Sequence, residues 1–441
     1  MDTIFAVATG AGRAGVAVVR ISGPAAAAAL EKVAHRSLPA PRRATRCLIY
    51  SQAGEVIDDG LTLWFPAPRS FTGEDVAELH LHGGRAVVAA ALDALAAADG
   101  LRPAEAGEFT RRAFENGKLD LTAAEGLADL VAAETDAQRR QALRQMQGKL
   151  GAVYDGWRLR LLGAIGHLEA TIDFSDEDLP EMVDEKVFKD VESLRQEIGA
   201  HLTDRHRGER IREGIRIAIV GPPNAGKSSI LNILAKKDAA IVSRHAGTTR
   251  DVIEVPLDLG GLPVVVADTA GIREAAGEVE EEGVRRARIQ AANADLKLAV
   301  FDGALWPELD GATTGLLDGN TIAVVNKSDL GYVRGHVRVG GLEAVAVSAL
   351  KGDGIDRLLG MVEEAVSERF AEAPGPALTR ARHRLALEEC HKALRRYAPG
   401  RDVELAAEDL RLAARALGRI TGRVDVEEVL DVIFRDFCIG K

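Results

Sequence analysis

The hydrophobic pattern in the middle of the chain, over residues 214–370, alternates short apolar runs with helical stretches. The runs IRIAIV, VIEVPLDL, GLPVVVAD, KLAVFDG, TIAVVN and EAVAV are rich in valine and other apolar residues. Runs that are apolar at most positions are typical of strands buried on both faces of a sheet. The pattern therefore predicts an α/β domain with a largely parallel sheet.

Residues 1 to about 118 mix strand and helix patterns. TIFAVAT, VAVVRI, LTLWF and VAELHLHGG predict strands, and alanine-rich runs after Pro24 and near residues 85–98 predict helices. An α+β domain is expected here. The glycines of GAGRAG match G-x-G-x-x-G, but a dinucleotide fingerprint needs a helix directly after them. Because VAVVRI follows, a turn between two strands is the better prediction, and dinucleotide binding is the weaker alternative.

Helical periodicity dominates from Lys118 to about Gly214 and returns after about residue 376. Thr122 and Glu125 form a T-x-x-E capping box, which predicts one long helix through QMQGKL. Further helices are predicted over WRLRLLGAIGHLEATI and VFKDVESLRQEIGAHLTDRHRGERI, and three more follow the Pro-Gly-Pro boundary near the end of the α/β segment.

Helices thus flank the α/β segment on both sides. The simplest architecture is one helical domain made from both flanks, with the α/β domain inserted between them. Three consecutive domains with two separate helical units are the alternative. The predicted boundaries are 1–118 for the N-terminal domain, 119–213 and 373–441 for the helical domain, and 214–372 for the inserted domain.

Composition changes this picture little. A chain of 441 residues is too long for one core, and 46% hydrophobic with 28% charged residues is ordinary for a globular protein. No apolar run is long enough to span a bilayer, and no secretory signal is predicted. Cys47, Cys390 and Cys438 are scattered without a C-x-x-C pair, which favours a reducing cytoplasm over disulfides or a zinc site.

The net charge of −11 argues against a protein that coats nucleic acid nonspecifically. It leaves room for a local basic patch that meets RNA.

The sharpest chemical pattern is GPPNAGKS, residues 221–228, between the strand IRIAIV and a predicted helix. It matches G-x-x-x-x-G-K-[ST] in the strand–loop–helix setting that this motif needs. The glycines let backbone N–H groups surround phosphate oxygens, and the helix N-terminus adds partial positive charge. Lys227 is expected to reach the terminal phosphates as a binding and catalytic group, and Ser228 to offer its hydroxyl to Mg²⁺.

Four further segments identify the nucleotide. DTAG follows a buried strand, where Asp268 can hold Mg²⁺ directly or through water and Gly271 can donate its N–H to the γ-phosphate. Thr249, in GTTRD, can complete the Mg²⁺ coordination. In NKSD, Asp329 can accept both guanine N–H groups, which adenine lacks, although a surface turn is the bland alternative. SAL can offer backbone N–H groups to the base oxygen.

These segments together predict a GTP-binding domain. The expected GTP-binding residues are Asn224, Ala225, Gly226, Lys227, Ser228, Ser229, Ser243, Arg244, His245, Ala246, Gly247, Thr248, Thr249, Asp268, Thr269, Ala270, Gly271, Asn326, Lys327, Asp329, Ser348, Ala349 and Leu350.

The residue after Gly271 is Ile272, where small GTPases often place a glutamine that orients the attacking water. An isoleucine cannot hold this water, so hydrolysis must be slow or another polar group must be supplied. The downstream segment EAAGEVEEEGVRR contains several carboxylates, including Glu280. On composition alone, a solvated acidic helix start is the more ordinary explanation of these carboxylates.

GPPNAGKSS, AAIVSRHAGTTRD, DTAGIRE, NKSD and the terminal FCIGK together resemble the MnmE (TrmE) family of tRNA modification GTPases. FTGEDVAELHLHGG and GEFTRRAFENGKLDLTAAE are similar to blocks of the same family, so the likeness spans nearly the whole chain. It implies a multidomain α/β protein: an N-terminal α+β folate-binding-like domain, an all-α helical domain built from two chain segments, and an inserted Ras-like P-loop GTPase domain.

The resemblance also implies a function. Family members act with an FAD-dependent partner, MnmG (GidA), which also carries the NADH chemistry. Together they place an aminomethyl- or carboxymethylaminomethyl-type group on C5 of the wobble uridine of certain tRNAs. They form homodimers through the N-terminal domain and a heterotetramer with the partner, in the cytoplasm and without membrane attachment. Their GTPase domains pair when GTP and K⁺ bind.

Several site roles follow from the resemblance alone. Asn224 matches the K⁺ ligand of the phosphate loop, and Ser243, His245 and Thr248 match the remaining K⁺ ligands, the first two through backbone carbonyls. The ion occupies the place where an arginine finger would put positive charge. Glu280 matches the catalytic glutamate that orients the attacking water.

The N-terminal domain is similar to folate-binding folds, which implies that a tetrahydrofolate derivative supplies the one-carbon unit. Arg20, Glu78, Lys118 and the terminal Lys441 match the folate positions, although Arg20 is equally well a surface strand residue without the family. Cys438 is either chemically active or an apolar anchor, and an isolated cysteine among apolar neighbours is more often buried and inert.

Two other functions stay open. A ribosome-assembly GTPase usually carries an RNA-binding appendage, and the sequence has neither a G-x-x-G clamp domain nor a basic tail. A dynamin-like scaffold would remodel membranes, but no basic amphipathic helix or lipidation signal is present. The two ends of the chain, which resemble the MnmE family, favour the tRNA-modifying GTPase over both.

Overall fold

The computed structural model describes residues 2–173, 181–204, 206–237, 254–268, 289–333, 336–370, 375–398, 402–424 and 427–435, together with 437, 439 and 440. The chain forms two compact units. Unit 1 comprises residues 1–128, 145–192 and 392–441, and unit 2 comprises residues 129–144 and 193–391. Each unit is therefore assembled from segments that are distant in the sequence.

Unit 1 begins with a six-stranded sheet in the order β3-β4-β5-β2-β1-β6. The strands are β1 (Thr3–Val7), β2 (Ala14–Ser22), β3 (Thr45–Tyr50), β4 (Val56–Phe65), β5 (Val76–Gly83) and β6 (Leu101–Pro103). The β1–β6 pair is parallel and the other neighbours are antiparallel. Helices α1 (Ala26–Ala34) and α2 (Arg85–Ala96) bury one face of the sheet, around Ile21, Leu30 and Leu79.

The α+β prediction for this part is confirmed. The G-x-G-x-x-G segment connects two antiparallel strands, since β1 ends at Val7 and β2 begins at Ala14, and no helix follows the glycines. The dinucleotide alternative is therefore excluded by local structure. The hydrophobic pattern had given no strand at β3 or β6.

The remaining elements of unit 1 are helical. Helix α6 (Lys149–Asp173) packs against α13 (Val403–Thr421), although the α/β segment separates them in the sequence. The ion pairs Arg411–Glu169 and Arg423–Asp155, each 2.9 Å long, also join the two segments. Helices α3 (Glu108–Glu115), α4 (Leu121–Ala132) and α14 (Glu427–Arg435) surround a small apolar cluster that includes Leu121, Phe434 and Phe437.

The predicted capping box at Thr122 and Glu125 is wrong. Asp120 caps α4 instead, because its carboxylate accepts hydrogen bonds from the Ala123 N–H at 2.9 Å and from the Thr122 hydroxyl at 2.6 Å. Thr122 therefore lies inside the helix. The predicted long helix is also interrupted, since α4 ends at Ala132.

A different capping box starts the next helix, α5 (Asp136–Met146). The Gln138 amide oxygen accepts from the Thr135 N–H at 3.1 Å, and the Thr135 hydroxyl accepts from the Gln138 N–H at 3.5 Å. The third predicted helix is likewise two helices, α7 (Glu181–Leu202) and α8 (Arg207–Glu213).

Unit 2 contains a seven-stranded sheet in the order β12-β13-β11-β10-β7-β9-β8. The five inner strands are parallel, and the edge strands β8 and β12 are antiparallel to their neighbours. The strands are β7 (Ile215–Val220), β8 (Glu254–Leu259), β9 (Leu262–Asp268), β10 (Leu296–Asp302), β11 (Thr321–Asn326), β12 (Val337–Val339) and β13 (Leu342–Ala346). The prediction of a largely parallel α/β sheet is confirmed, apart from β12, which the pattern had not indicated.

Apolar cores lie on both faces of this sheet. Alternate residues of β7 point to opposite faces, so Ile217 joins one cluster and Ala218 joins the other. The helices of this unit include α9 (Lys227–Leu234), α10 (Gly311–Thr314), α11 (Ile355–Phe370) and α12 (Ala381–Leu394). Within the described residues, none of the helices has the length and apolar character to cross a membrane.

Candidate functional site

The candidate site lies at the carboxyl ends of the parallel strands of unit 2. Strand β7 has β9 on one side and β10 on the other, so the next parallel strands of the chain are added on opposite sides of β7 and the strand order switches between β7 and β10. Loops that leave such a point diverge and form a crevice in which open α/β sheets bind ligands. The GPPNAGKS loop leaves β7 at this point.

Two glycines allow the phosphate loop to pack closely on neighbouring strands. Gly221 has φ +154°, and a Cβ there would lie 2.2 Å from the Val300 carbonyl oxygen in β10. Gly226 has φ +92°, and a Cβ there would lie 2.1 Å from the Asn326 side-chain nitrogen. Both positions are therefore closed to larger residues, for reasons of space as well as backbone conformation.

Lys227 is the first residue of α9 and is 7% exposed. Its ammonium group donates to the carbonyls of Gly221 and Pro222, each at 2.9 Å, so the charge is held inside the loop. Ser228 and Asn224 are exposed at the rim, and Asn224 has φ +61°, a left-handed conformation that asparagine tolerates. The loop thus combines backbone N–H groups, the ammonium group of Lys227 and exposed side-chain oxygens that could bind a metal ion.

Asn326 connects this loop to the predicted base-binding turn. The side chain is 1% exposed. Its nitrogen donates to the Ala225 carbonyl at 2.8 Å, and its oxygen accepts from the Ala349 N–H at 2.9 Å. Asn326 had been predicted only as a nucleotide-binding residue, and the structure shows that it also fixes two loops relative to each other.

Asp329 and Ser348 form the second part of the base-binding turn. The Ser348 hydroxyl donates to Asp329 Oδ1 at 2.7 Å, and this hydrogen bond lowers the pKa of the Asp329 carboxyl. Among the described residues, Ser348 is the one side chain with a hydrogen bond to the Asp329 carboxylate. An ionised carboxylate after a strand end is suited to accept the N–H groups of guanine.

Lys327 fixes the same turn against β10. It has φ +63°, and its ammonium group pairs with Asp302 Oδ2 at 2.6 Å. Leu350 follows Ala349 and is 85% exposed, which leaves the end of the SAL segment open to a ligand. The described residues of NKSD and SAL are therefore brought together at one edge of the sheet, as the motifs predicted.

Several predicted site residues cannot be located in this way. Asp268 ends β9 opposite Ile219 of β7, so the DTAG segment begins beside the phosphate loop. The following predicted residues lie outside the described residues: Ser243, Arg244, His245, Ala246, Gly247, Thr248, Thr249, Thr269, Ala270, Gly271, Glu280, Cys438 and Lys441.

In unit 1, the predicted folate residues Arg20 and Glu78 lie opposite each other on β2 and β5. Arg20 donates to Glu78 Oε1 at 3.0 Å, and the other oxygen of Glu78 is 3.2 Å from His80 Nε2. The guanidinium also lies over the Phe71 and Phe109 rings, 5.3 and 5.8 Å from their centroids. Both side chains are only partly exposed, which argues against the alternative interpretation of Arg20 as a surface strand residue.

Lys118 and the end of the chain approach the same part of unit 1. The Lys118 ammonium donates to the Pro68 carbonyl at 3.0 Å, three residues before Phe71. Gly440 packs so closely on β1 that a Cβ would lie 2.1 Å from the Val7 carbonyl oxygen. Residues His80, Phe71 and Phe109 were not predicted, since nothing in the local sequence marks them as neighbours of Arg20.

The phosphate loop at a switch point, the NKSD turn and the SAL turn together define a P-loop guanine-nucleotide-binding protein. Comparison with known proteins extends this assignment. Residues 3–118 match the family model of the GTP-binding protein TrmE N-terminus, and residues 121–438 match the model of the MnmE helical domain. The chain therefore belongs to the MnmE family, and it is a GTPase.

Named relatives cover the whole chain. It is 60% identical to the tRNA modification GTPase MnmE of Paramagnetospirillum magneticum and 58% identical to that of Rhodospirillum rubrum, with 100% of each chain covered. It is 48% identical to the mitochondrial 5-taurinomethyluridine-[tRNA] synthase subunit GTPB3 of Homo sapiens, over 100% of this chain and 93% of that protein.

A solved FeoB G-domain from Methanococcus jannaschii is 25% identical over 35% of this chain and 98% of that chain, with a TM-score of 0.27, too low to carry an argument. The family models instead confirm the predicted fold class. The models identify an N-terminal TrmE-type domain and a helical MnmE domain. The parallel sheet and phosphate loop of unit 2 add the P-loop GTPase domain.

Proposed function

We propose that this chain is a K⁺-stimulated GTPase that modifies tRNA. With an FAD-dependent partner of the MnmG (GidA) type, it adds a carboxymethylaminomethyl- or aminomethyl-type group to C5 of the wobble uridine. The supporting observation is the full-length likeness to tRNA modification GTPases in a chain that carries an assembled guanine-nucleotide site. A homologue named for 5-taurinomethyluridine synthesis supports uridine as the modified base.

The described part of the phosphate loop fits the two cations that this activity requires. Asn224 and Ser228 present exposed side-chain oxygens at the rim of the loop, and oxygen is the donor that Mg²⁺ and K⁺ prefer. Ser228 and Thr249 would hold Mg²⁺, and Asn224 would hold K⁺ together with Ser243, His245 and Thr248. When bound, these ions supply positive charge beside the phosphate oxygens.

The side chains divide the remaining work. Lys227 binds the terminal phosphates, and the N-terminus of α9 adds partial positive charge from its backbone N–H groups. Asp329 selects guanine. Glu280 orients the attacking water, because Ile272 has no polar group to do so.

The deciding experiment for this activity is GTP turnover by the purified chain in K⁺ and in Na⁺. Wild-type turnover is expected to be faster in K⁺, and Asn224→Ala should remove most of the difference while GTP still binds. Glu280→Ala should lower kcat by roughly 10²-fold or more with little change in GTP affinity. A wild-type enzyme that is indifferent to the cation excludes the K⁺ mechanism.

A tetrahydrofolate derivative is proposed as the one-carbon donor, bound by Arg20, Glu78, Lys118 and Lys441. The Arg20–Glu78 pair offers both a cation and a carboxylate, which suit the glutamate tail and the pterin ring of a folate. Calorimetric titration with a tetrahydrofolate derivative should show binding to the wild type. Arg20→Met should weaken it by roughly tenfold or more, since a charged hydrogen bond contributes about 1.5–3 kcal/mol.

The biological role is tested separately by mass spectrometry of tRNA. A deletion strain should contain unmodified wobble uridine, and the plasmid-borne wild-type gene should restore the modified base. The proposal also includes a cytoplasmic location, a homodimer that joins the partner in a heterotetramer, FAD and NADH on the partner, and the domain boundaries 1–118, 119–213, 214–372 and 373–441.

A further inference from the structure

Five exposed arginines gather at one edge of the N-terminal sheet of unit 1. We call Arg36, Arg42, Arg43, Arg46 and Arg69 the arginine patch. Hydrogen bonds link parts of the group, since Arg36 donates to the Arg46 carbonyl at 3.4 Å and Arg42 donates to the Arg69 carbonyl. Arg43 directly follows Arg42 and lies three residues before Arg46, so it brings the two linked pairs close together in the chain.

The patch carries little compensating negative charge. Arg46 pairs with Asp59 at 3.0 Å, whereas the other four arginines have no carboxylate partner in the described part of the chain. Glu31 accepts a hydrogen bond from the backbone N–H of Leu38, and Asp75 accepts one from the backbone N–H of Ala67, two residues before Arg69. In a protein with a net charge of −11, this is a concentration of charge opposite to that of the whole molecule.

The strand pairing places Arg46 of the patch on the sheet face that carries the candidate folate residues. Arg46 of β3 lies opposite Leu61 of β4, and Leu61 lies opposite His80 of β5. Directly opposite residues on neighbouring strands share a face, as do residues two apart on one strand. Arg46 therefore shares a face with His80 and Glu78, and Glu78 pairs with Arg20.

A second connection runs through the segment before β5. Lys118 donates to the Pro68 carbonyl, and Pro68 is followed directly by Arg69 of the patch. The candidate folate residue Lys118 and the patch residue Arg69 thus belong to the same local structure. Arg46 and Arg69 thus connect the patch with the residues of the proposed one-carbon site.

We propose that the arginine patch binds the phosphate backbone of tRNA and thereby holds the RNA beside the one-carbon site. This inference rests on the proposed function, because it takes tRNA as the substrate. Guanidinium groups match the planar oxygen pairs of phosphates and bind them bidentately. Contacts of this kind position the nucleic acid without reading its sequence, which leaves the choice of base to other groups.

Protection of the sheet edge does not account for the patch. Strand β3 is an edge strand, and charged side chains on edge strands prevent unwanted pairing with other chains. Only Arg46 of the five belongs to β3, however, and the other four arginines lie outside this strand. Phosphate binding explains the whole group, whereas edge protection explains one member.

The test measures binding of a fluorescently labelled, unmodified tRNA transcript to the purified full-length chain by anisotropy at several salt concentrations. The patch variant is Arg43→Gln with Arg69→Gln, because neither side chain has a described contact. The control is Arg338→Gln with Arg395→Gln, two exposed arginines that also lack described side-chain contacts. Both variants change the net charge equally.

Two lost phosphate contacts should weaken tRNA binding by roughly tenfold and reduce the slope of log K against log salt by about 1.5. The control should bind like the wild type, and Arg43→Lys with Arg69→Lys should keep most of the affinity. GTP turnover should be the same in all variants, which also shows that they are folded.

Three results would overturn the inference. One is a patch variant that binds tRNA as tightly as the control, and another is a wild type that binds no tRNA. The third is a patch variant that keeps tRNA affinity but no longer binds vesicles containing an anionic phospholipid, which would indicate a membrane surface instead. The wobble-uridine assay decides the proposed function independently of each of these results.

Discussion

At the scale of single residues, Asn326 matters because it serves two loops at once. Its buried amide satisfies the Ala225 carbonyl of the phosphate loop and the Ala349 N–H of the SAL turn. A nucleotide that spans the two loops therefore meets them at a distance fixed by one side chain. We therefore expect base recognition and phosphate binding to be coupled through this amide.

Replacing Asn326 by alanine should disturb both loops. Each buried backbone group left without a partner costs about 1–3 kcal/mol, so GDP affinity should fall by roughly 10²-fold. Titration with a fluorescent GDP analogue measures this, and Asn320→Ala is the control, since that exposed side chain has no described hydrogen bond. Equal affinities of the two variants would show that nucleotide binding does not depend on the bridge.

Ser348 should control the pH dependence of nucleotide binding through Asp329. Its hydroxyl lowers the pKa of the Asp329 carboxyl, whose ordinary value is 3.8. Because a lowered pKa keeps the carboxylate ionised, guanine binding is present above that pKa and is lost as the pH falls through it. Ser348→Ala should move this loss to higher pH.

The measurement is GDP affinity followed from neutral pH downward. At neutral pH the Ser348→Ala variant should lose only roughly fivefold, because Asp329 is still ionised and one hydrogen bond is gone. GDP affinity of Asn320→Ala over the same pH range provides the control, since that exposed side chain has no described hydrogen bond. A pH profile identical to that of the wild type would contradict the role given to Ser348.

At the scale of secondary-structure elements, the sequence predicted whether a segment is a helix or a strand better than it predicted where the segment begins and ends. The valine-rich runs predicted the strands of the parallel sheet because burial on both faces leaves an unambiguous pattern. The capping box was misplaced because T-x-x-E at Thr122 and T-x-x-Q at Thr135 are equally good local patterns. At the first of these two helices, Asp120 is the capping residue instead of Thr122. This depends on where the backbone turns, because the turn places the Asp120 carboxylate beside the Ala123 N–H and the Thr122 hydroxyl.

The two candidate sites differ in how much of each was predictable. The phosphate loop and the NKSD turn are local motifs with fixed spacing, so their residues could be named from the sequence. The Arg20–Glu78 pair depends on the register between β2 and β5, which no local pattern specifies. Phe71, Phe109 and His80 surround Arg20 through the same tertiary pairing, and only the family likeness pointed to this region.

Gly126 shows how closely two helical segments of unit 1 approach. A Cβ on Gly126 in α4 would lie 2.5 Å from the backbone nitrogen of Met146. Gly126→Ala should therefore destabilise unit 1 by roughly 1–3 kcal/mol. Gly163→Ala on α6 is the matched control, because a Cβ there meets nothing within 4 Å and alanine favours helix by about 0.5–1 kcal/mol.

Thermal unfolding followed by circular dichroism distinguishes the two glycine variants. The midpoint should fall for Gly126→Ala and should stay constant or rise for Gly163→Ala. If both midpoints moved in the same direction, the close approach of α4 to Met146 would not limit the packing of this segment.

At the scale of the whole molecule, both units join distant parts of the chain. In unit 2, the Ala137 N–H at the start of α5 donates to the Gly261 carbonyl in the β8–β9 turn at 3.0 Å, and Gln138 donates to the Arg212 carbonyl at 3.1 Å. The β8–β9 turn lies at the opposite edge of the sheet from the nucleotide loops. Helix α5 therefore contacts the GTPase sheet on the side opposite to the nucleotide loops.

In unit 1, the end of the chain is part of the N-terminal structure. Phe437 is 8% exposed and packs with Phe434, with ring centroids 5.4 Å apart. Ile439 forms a β-bridge with Ala106, and Gly440 lies against Val7. The last residues therefore stabilise the fold as well as carrying Cys438 and Lys441, whose chemistry is proposed.

These two roles of the terminal segment can be separated by comparing a truncation with a point variant. Removal of residues 437–441 deletes a buried phenylalanine, which costs about 3–5 kcal/mol, and should lower the thermal midpoint and tetrahydrofolate binding together. Cys438→Ala should leave the midpoint unchanged. If Cys438 is chemically active, this variant should also fail to restore modified wobble uridine in the deletion strain, whereas restored modification would show that the reaction does not need the Cys438 thiol. A truncated protein with a wild-type midpoint would show instead that the terminal contacts contribute nothing to stability.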